Sequence, residues 1–285
     1  MKKFARLTAL AAALIGALVT APSALATGSS LRVFGLTDDN RLVRFRSDTP
    51  GYTNNRGYIS GLITDTKLVG IDFRIQNGLL YGVGNLGGIY TINTSNAYAT
   101  LIDRLDIPLD GTSFGVDFNP AANALRVISD TGQNLRHPFM TATGEPGPTV
   151  MDGGLSYPVT PPAVPTPASG VTGAAYTNND LDAINTATTL FDIDTTLDQV
   201  VIQSPANSGT IVATGKLGVD AGIQAGFDTF SRRNSAGTTA ENRAFATLFV
   251  SDAYRFYRID LLTGKANQVG KFAKDVVDIA IDLNQ

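Results

Sequence analysis

The sequence contains no cysteine, no tryptophan and a single histidine, and only 16% of its residues are charged. Without cysteine there can be no disulfide, no thiolate nucleophile and no Cys-ligated zinc, so an exported domain of this composition must hold itself together by its core alone. Without tryptophan there is no Trp-lined sugar platform. The low charge combined with 43% hydrophobic residues excludes a disordered chain and leaves ample material for a packed interior.

The first 26 residues read as a leader. Lys2, Lys3 and Arg6 form a positive start, Leu7 to Val19 is an apolar run, and Ala24-Leu25-Ala26 supplies a small-x-small cleavage pattern. The run is shorter than the roughly 20 residues a spanning helix needs, so the expectation is an exported protein, periplasmic or extracellular, with no membrane span after cleavage. The mature chain, 27–285, is expected to be one domain. Removing the three leader cations takes the formal net charge from −3 to −6, which offers no electrostatic footprint for nucleic acid or an anionic membrane.

What the chain does have is repetition. Leu68 to Leu105 contains four short apolar runs, GIDF, LLYGVG, GIYTI and ATLI, separated by Asn/Gly turn signals. This is the pattern of a four-stranded antiparallel meander. The opening run Gly70-Ile71-Asp72-Phe73 returns as Gly115-Val116-Asp117-Phe118, Gly173-Ala174-Ala175-Tyr176 and Gly226-Phe227-Asp228, each followed by further apolar runs. A last opening run, Val276 to Ile281, ends the repeats, whereas the segment from Leu31 to Leu62 contains three runs and lacks an opener, its third run being Tyr58 to Leu62. The period of about 45–58 residues belongs to solenoids and propellers. If the last strand joins the first three, both shortages vanish and no sheet edge is exposed. The fold expected is therefore all-β, a five-bladed β-propeller closed by a mixed N- and C-terminal blade. A six-bladed ring is the alternative, with a degenerate strand pair hidden in the Pro-rich stretch 157–169, which otherwise reads as a surface loop. Ser231 to Arg243 reads as a mobile hairpin loop.

The stretches LVGIDFRIQNGLLYGVG, FGVDFNPAANALRVISDTGQNLR, GAAYTNN and YRIDLLTG resemble an exported bacterial family of propeller-like proteins known only as a domain of unknown function. The resemblance covers nearly all of the mature chain and implies export and a repeat-built β fold. It implies no activity and no catalytic residue. The chain departs from it after SDTGQNLR, where His137-Pro138 is expected to interrupt a strand.

Two kinds of candidate site emerge. Asp72, Asp117 and Asp228 share one place in three opening strands, which line the channel of a propeller, so their carboxylates could converge on a hard cation such as Ca²⁺. The other reading of each is an acceptor for backbone N–H groups; Asp278 lies two places earlier in its own run. Polar turns supply the second kind: Ser129, Asp130, Gln133 and Asn134 in one, and Tyr176, Asn178 and Asn179 in the other. Loops on a rigid scaffold commonly bind ligands, and Asx and Gly residues also shape turns. Gly111-Thr112-Ser113-Phe114-Gly115 has the spacing of a nucleophile elbow, but a strand follows where that motif needs a helix, so Ser113 and His137 make a poor catalytic dyad. The functional expectation is a binding or interaction module for an exported protein, a glycan or a small molecule. The alternatives are a Ca²⁺-type metal-assisted hydrolase or lactonase using the Asp ring, and a structural envelope or matrix protein.

Overall fold

A computed structural model describes residues 29–159, 163–182 and 187–285; the leader lies outside them. The repeats become four-stranded antiparallel sheets. Blade 1 comprises Leu68–Arg74, Leu79–Gly84, Gly88–Ile92 and Ala99–Arg104; blade 2 comprises Phe114–Asn119, Ala124–Ser129, Asn134–Pro138 and Val150–Met151. Blade 3 is built from Val171–Tyr176, Leu190–Asp194, Gln199–Gln203 and Ile211–Lys216, and blade 4 from Ala225–Arg233, Thr239–Phe249, Tyr254–Ile259 and Ala266–Lys271. The mixed blade takes its innermost strand, Val276–Ile281, from the C-terminal end and Arg32–Thr37, Arg41–Arg46 and Asn54–Tyr58 from the other. The five innermost strands stand side by side around the axis, Val276–Ile281 between those of blades 4 and 1. The protein is a five-bladed β-propeller.

Each strand alternates its side chains across the sheet, so both blade faces are apolar and each seam between blades holds its own core. Five clusters fill five seams: around Phe34 and Tyr90, Tyr81 and Phe118, Val171 and Tyr176, Phe227 and Tyr257, and Phe45 and Phe256. The repeated glycine of the opening run sets how closely neighbouring innermost strands approach. A Cβ on Gly115 would come within 2.8 Å of the Ala174 nitrogen, and one on Gly226 within 2.5 Å of the Asp278 Cα. Because backbone rather than a flexible side chain blocks the space, Gly226→Ala should destabilise the ring by about 1–3 kcal/mol, the usual cost of overpacking, read as a lower urea midpoint.

Several expectations need correction. The six-bladed alternative fails: the four-stranded sheets number five among the described residues, where the Pro-rich stretch supplies a two-stranded hairpin, Ser156–Tyr157 with Thr166–Pro167. The outermost strand of the mixed blade is Asn54–Tyr58, not Tyr58–Leu62: this strand, NNRGY, is polar and largely exposed, so no apolar run announces it. His137-Pro138 does not interrupt its strand; Pro138 pairs opposite Ala124 at the strand's last position, where a missing N–H costs little. Most of Ser231–Arg243 is not loop but a continued ladder, with Ser231 opposite Asn242 and Arg232 opposite Glu241.

The two ends of the ring differ. Innermost strands all begin on one face and end on the other, here called the entry and exit faces.

Candidate functional site

At the axis, Asp72, Asp117 and Asp228 do converge. They are buried, and one oxygen from each lies within 4.8 Å of the others. Each also reaches the innermost strand of the next blade. Asp72 accepts the Phe118 N–H at 2.8 Å, Asp117 the Tyr176 N–H at 2.6 Å and Asp228 the Ile281 N–H at 2.5 Å. These hydrogen bonds are not made at local turns. They run between blades, from the residue at one repeat position to the residue just after that position in the next repeat.

Alanines stand at the same position in the other two blades, Ala175 and Ala280. The N–H groups they would have served belong to Thr229 and Phe73, and each is taken by the carboxylate preceding it, Asp228 at 2.5 Å and Asp72 respectively. Three carboxylates thus satisfy five inward N–H groups. The mixed blade adds a contact one level away: Asp278 stands where the other repeats have glycine, and it accepts the Ile71 N–H at 2.7 Å.

Three carboxylates in so dry a place repel each other's charge. Burial, and next the charge of Asp228, hold Asp72 well above the usual carboxylate range. Burial and the neighbouring Asp72 and Asp228 do the same for Asp117, and burial pushes Asp228 up to about 7. Asp72 and Asp117 also share a hydrogen bond between their carboxyl groups. Such a hub needs a proton or a cation to neutralise it.

The two polar turns lie on opposite faces. Ser129 pairs with Phe114, the first residue of its innermost strand, which puts Ser129–Asn134 on the entry face; Tyr176 ends its strand, on the exit face. On the entry face, Asp130 accepts hydrogen bonds from the Thr112 amide and hydroxyl (2.8 and 2.7 Å). Gln133 bonds the Pro108 carbonyl and the Asp110 amide, and the Ser129 hydroxyl contacts Thr131.

Asn134 leads to a buried arginine that the sequence analysis missed. Arg126 donates to Asn134 and Asp152, both at 2.7 Å, to Asn207 at 2.8 Å, and to the Tyr176 hydroxyl at 3.3 Å. Asn134 in turn donates to the Gly153 and Ala206 carbonyls. Burial opposes the charge on Arg126, but Tyr176 and Asp152 outweigh it and leave the guanidinium pKa raised. Asp192, buried and near enough to feel this charge, has neither oxygen hydrogen-bonded, and burial holds it well above its ordinary range. Arginine in the apolar run ALRVIS was the available signal, since its neighbours on that strand face a seam. Arg126→Ala takes a donor from Asn134, Asn207 and Tyr176 and leaves Asp152 with Arg136 alone, at 3.0 Å. It should cost about 1–3 kcal/mol, measured by urea unfolding, while Asn134→Ala should cost less.

On the exit face, Asn178 and Asn242 exchange hydrogen bonds at 2.7 and 3.1 Å, and Asn179 holds Ser231 and the Thr229 carbonyl at 2.8 and 2.9 Å. This tie makes one wall of a cleft of about 550 Å³ between blades 3 and 4. Thr177, Asn178, Phe191, Asn242 and Asn267 are among its lining residues, along with Leu262, which is 76% exposed. Of the seven turn residues singled out, only Asn178 lines this cleft. Ser113 and His137 do not meet: the imidazole nitrogens face Thr149 at 3.0 Å and Asp103 at 3.4 Å.

A family model described as a domain of unknown function, DUF4394, matches residues 41–280. The chain belongs to that family. No curated protein matches it. Among solved structures the similarities are at low identity. A Bacteroides thetaiotaomicron protein of unknown function is 10% identical at a TM-score of 0.47 over 65% of this chain and 45% of its own. Proteins named auxiliary nutrient binding proteins, from Bacteroides ovatus and Bacteroides thetaiotaomicron, are each 13% identical, at TM-scores of 0.42 and 0.39 over 77% and 88% of this chain. The chain spans about half the length of these structures, 56% for the latter two. Among the described residues no helix is long and apolar enough to cross a membrane.

Proposed function

We propose that the protein is an exported binding module whose ligand, a small molecule, a glycan or a segment of an exported protein, seats in the exit-face cleft between blades 3 and 4. The leader pattern in residues 1–26 supports export. The cleft itself carries the binding reading: about 550 Å³ is large enough for a small ligand. Its walls combine apolar surface from Phe191 and Leu262 with a fixed amide pair, Asn178 and Asn242. The ladder through Ser231–Asn242 makes that wall rigid, so little ordering cost attaches to binding.

The test is a thermal-shift panel of sugars, amino acids and short peptides against the wild type and Asn267→Trp. Asn267 is an exposed lining residue, so the indole should obstruct the cleft without disturbing the core. A ligand present at 100 times its Kd stabilises by about 2.7 kcal/mol, a shift of roughly 5–10 °C for a domain of this size. Hits that vanish in Asn267→Trp support the reading. Hits that persist unchanged, or a panel without hits, count against it.

A second reading, a metal-assisted hydrolase or lactonase, is favoured by the convergence of Asp72, Asp117 and Asp228 on one point. A Ca²⁺-type ion held there would neutralise the hub and polarise a carbonyl.

A further inference from the structure

The mixed blade carries a second recess on the exit face, separate from the cleft between blades 3 and 4. Arg32 and Arg46 are direct cross-strand partners, and Arg44 follows Arg46 on the same face of the sheet. That face is the one whose Phe34, Leu36 and Leu42 pack toward blade 1. Like charges opposed across a ladder repel, and the local compensation is incomplete. Arg32 is paired with Asp282 at 2.7 Å. Among the described residues the guanidinium groups of Arg44 and Arg46 make no hydrogen bond and no ion pair. Asp48, which feels the charge of Arg46 only weakly, is held by the Ser30 and Thr49 hydroxyls.

These three arginines line a recess of about 500 Å³ together with Thr49, Asn54 and Tyr52. Tyr52 is 84% exposed, an aromatic face with nothing on it. Arg32 also borders a second recess of about 400 Å³ that runs to Leu79 and Thr94 of blade 1. Planar guanidinium groups pair with oxyanions in two-pronged fashion, while an exposed tyrosine ring offers a flat apolar partner beside a polar hydroxyl. A ligand that uses both carries oxyanions beside a flat apolar face, a description that an acidic sugar ring fits.

We propose that the arginine-lined recess binds an acidic saccharide, its carboxylate or sulfate groups on Arg44 and Arg46 and a sugar ring against Tyr52. Uronic acids and sulfate esters present the same chemistry to these side chains.

Calorimetric titrations of the full mature chain with galacturonate, sulfated galactan and neutral galactan tetramers separate the sources. A thymidine oligonucleotide of equal charge serves as the polyanion control. One or both acidic tetramers should bind, more weakly at higher salt, and the neutral tetramer at least tenfold more weakly. Arg44→Gln/Arg46→Gln should lose at least tenfold in affinity and Tyr52→Ala about threefold. Because Arg46 is exposed, Arg46→Gln alone provides a variant whose melting should match wild type, and it too should weaken binding. Asn267→Trp should bind the acidic tetramer normally, which keeps this result apart from the cleft between blades 3 and 4. The proposal is overturned by absence of heat with both acidic tetramers, by equal affinity for the neutral one or the oligonucleotide, or by arginine variants that bind as wild type.

Discussion

Deleting residues 276–285 should leave a chain that aggregates or fails to fold. Every residue of Val276–Ile281 is buried. The strand pairs in antiparallel register with Arg32–Thr37, Val33 opposite Ile281 and Gly35 opposite Ile279, and it flanks the innermost strands of blades 4 and 1. Val276, Val277, Ile279 and Ile281 each contribute on the order of 1.5–3 kcal/mol by burial, which together rivals the whole 5–15 kcal/mol of a typical domain. The deletion also removes the Ile281 N–H from Asp228 and the Asp278 carboxylate from Ile71. It opens the edge of Arg32–Thr37 to pairing with other chains. Solubility after expression, followed by circular dichroism of any soluble fraction, reads the outcome. A monomer with unchanged melting temperature would show that the ring does not depend on this closure.

The acidic hub should make the protein lose stability as pH rises from about 4 through 7. Asp228 has a folded pKa of about 7, above its unfolded value, so the folded state binds more protons. The corresponding stability is complete at pH values below the unfolded pKa and is lost as pH rises through 7. Asp72, Asp117, Asp192 and Asp278 are shifted in the same direction. His137, which burial holds neutral, works the other way only in more acidic solution. Asp228→Asn removes the charge and keeps an acceptor for only one of the Ile281 and Thr229 N–H groups. Its pH profile should therefore be flatter, its melting temperature relative to wild type rising between pH 5 and pH 8 by the equivalent of about 1–3 kcal/mol. Asp117→Ala, by contrast, strands the Tyr176 N–H and should cost about 1–3 kcal/mol.

Calcium separates the two ways of neutralising the hub. If a cation is shared by the three carboxylates, calcium at pH 8 should raise the melting temperature of wild type, and Asp72→Asn, Asp117→Asn and Asp228→Asn should each abolish that rise. If protons do the work, the same variants should behave alike with calcium and with chelator. Melting curves of the three single variants and the triple variant distinguish the cases, and losses indifferent to calcium would end the metal-assisted reading.

Much of this fold is written locally. Apolar runs such as LLYGVG and ALRVIS, with Asn/Gly turns between them, encode strands and hairpins because alternation and turn conformation depend on neighbouring residues alone. Counting the runs was enough to close the ring, since the shortage in Leu31–Leu62 and the surplus in VVDIAI match. Local reading fails where a strand is polar on both faces, as in Asn54–Tyr58, and where a polar segment borrows its order from elsewhere, as Ser231–Asn242 does from Asn178 and Asn179. The place of Asp72, Asp117 and Asp228 in the repeat was visible, but its meaning was not. Only the assembled ring brings carboxylates from three blades within 4.8 Å and shows Asp228 and Asp72 taking the Thr229 and Phe73 N–H groups that Ala175 and Ala280 cannot serve. The ring likewise puts the turns at Ser129 and Tyr176 on opposite faces and gathers Arg126 with Asp152 and Asn207. Those relations join residues up to two hundred positions apart. Their energies depend on distance and burial, which are properties of the closed ring and not of any one stretch of chain.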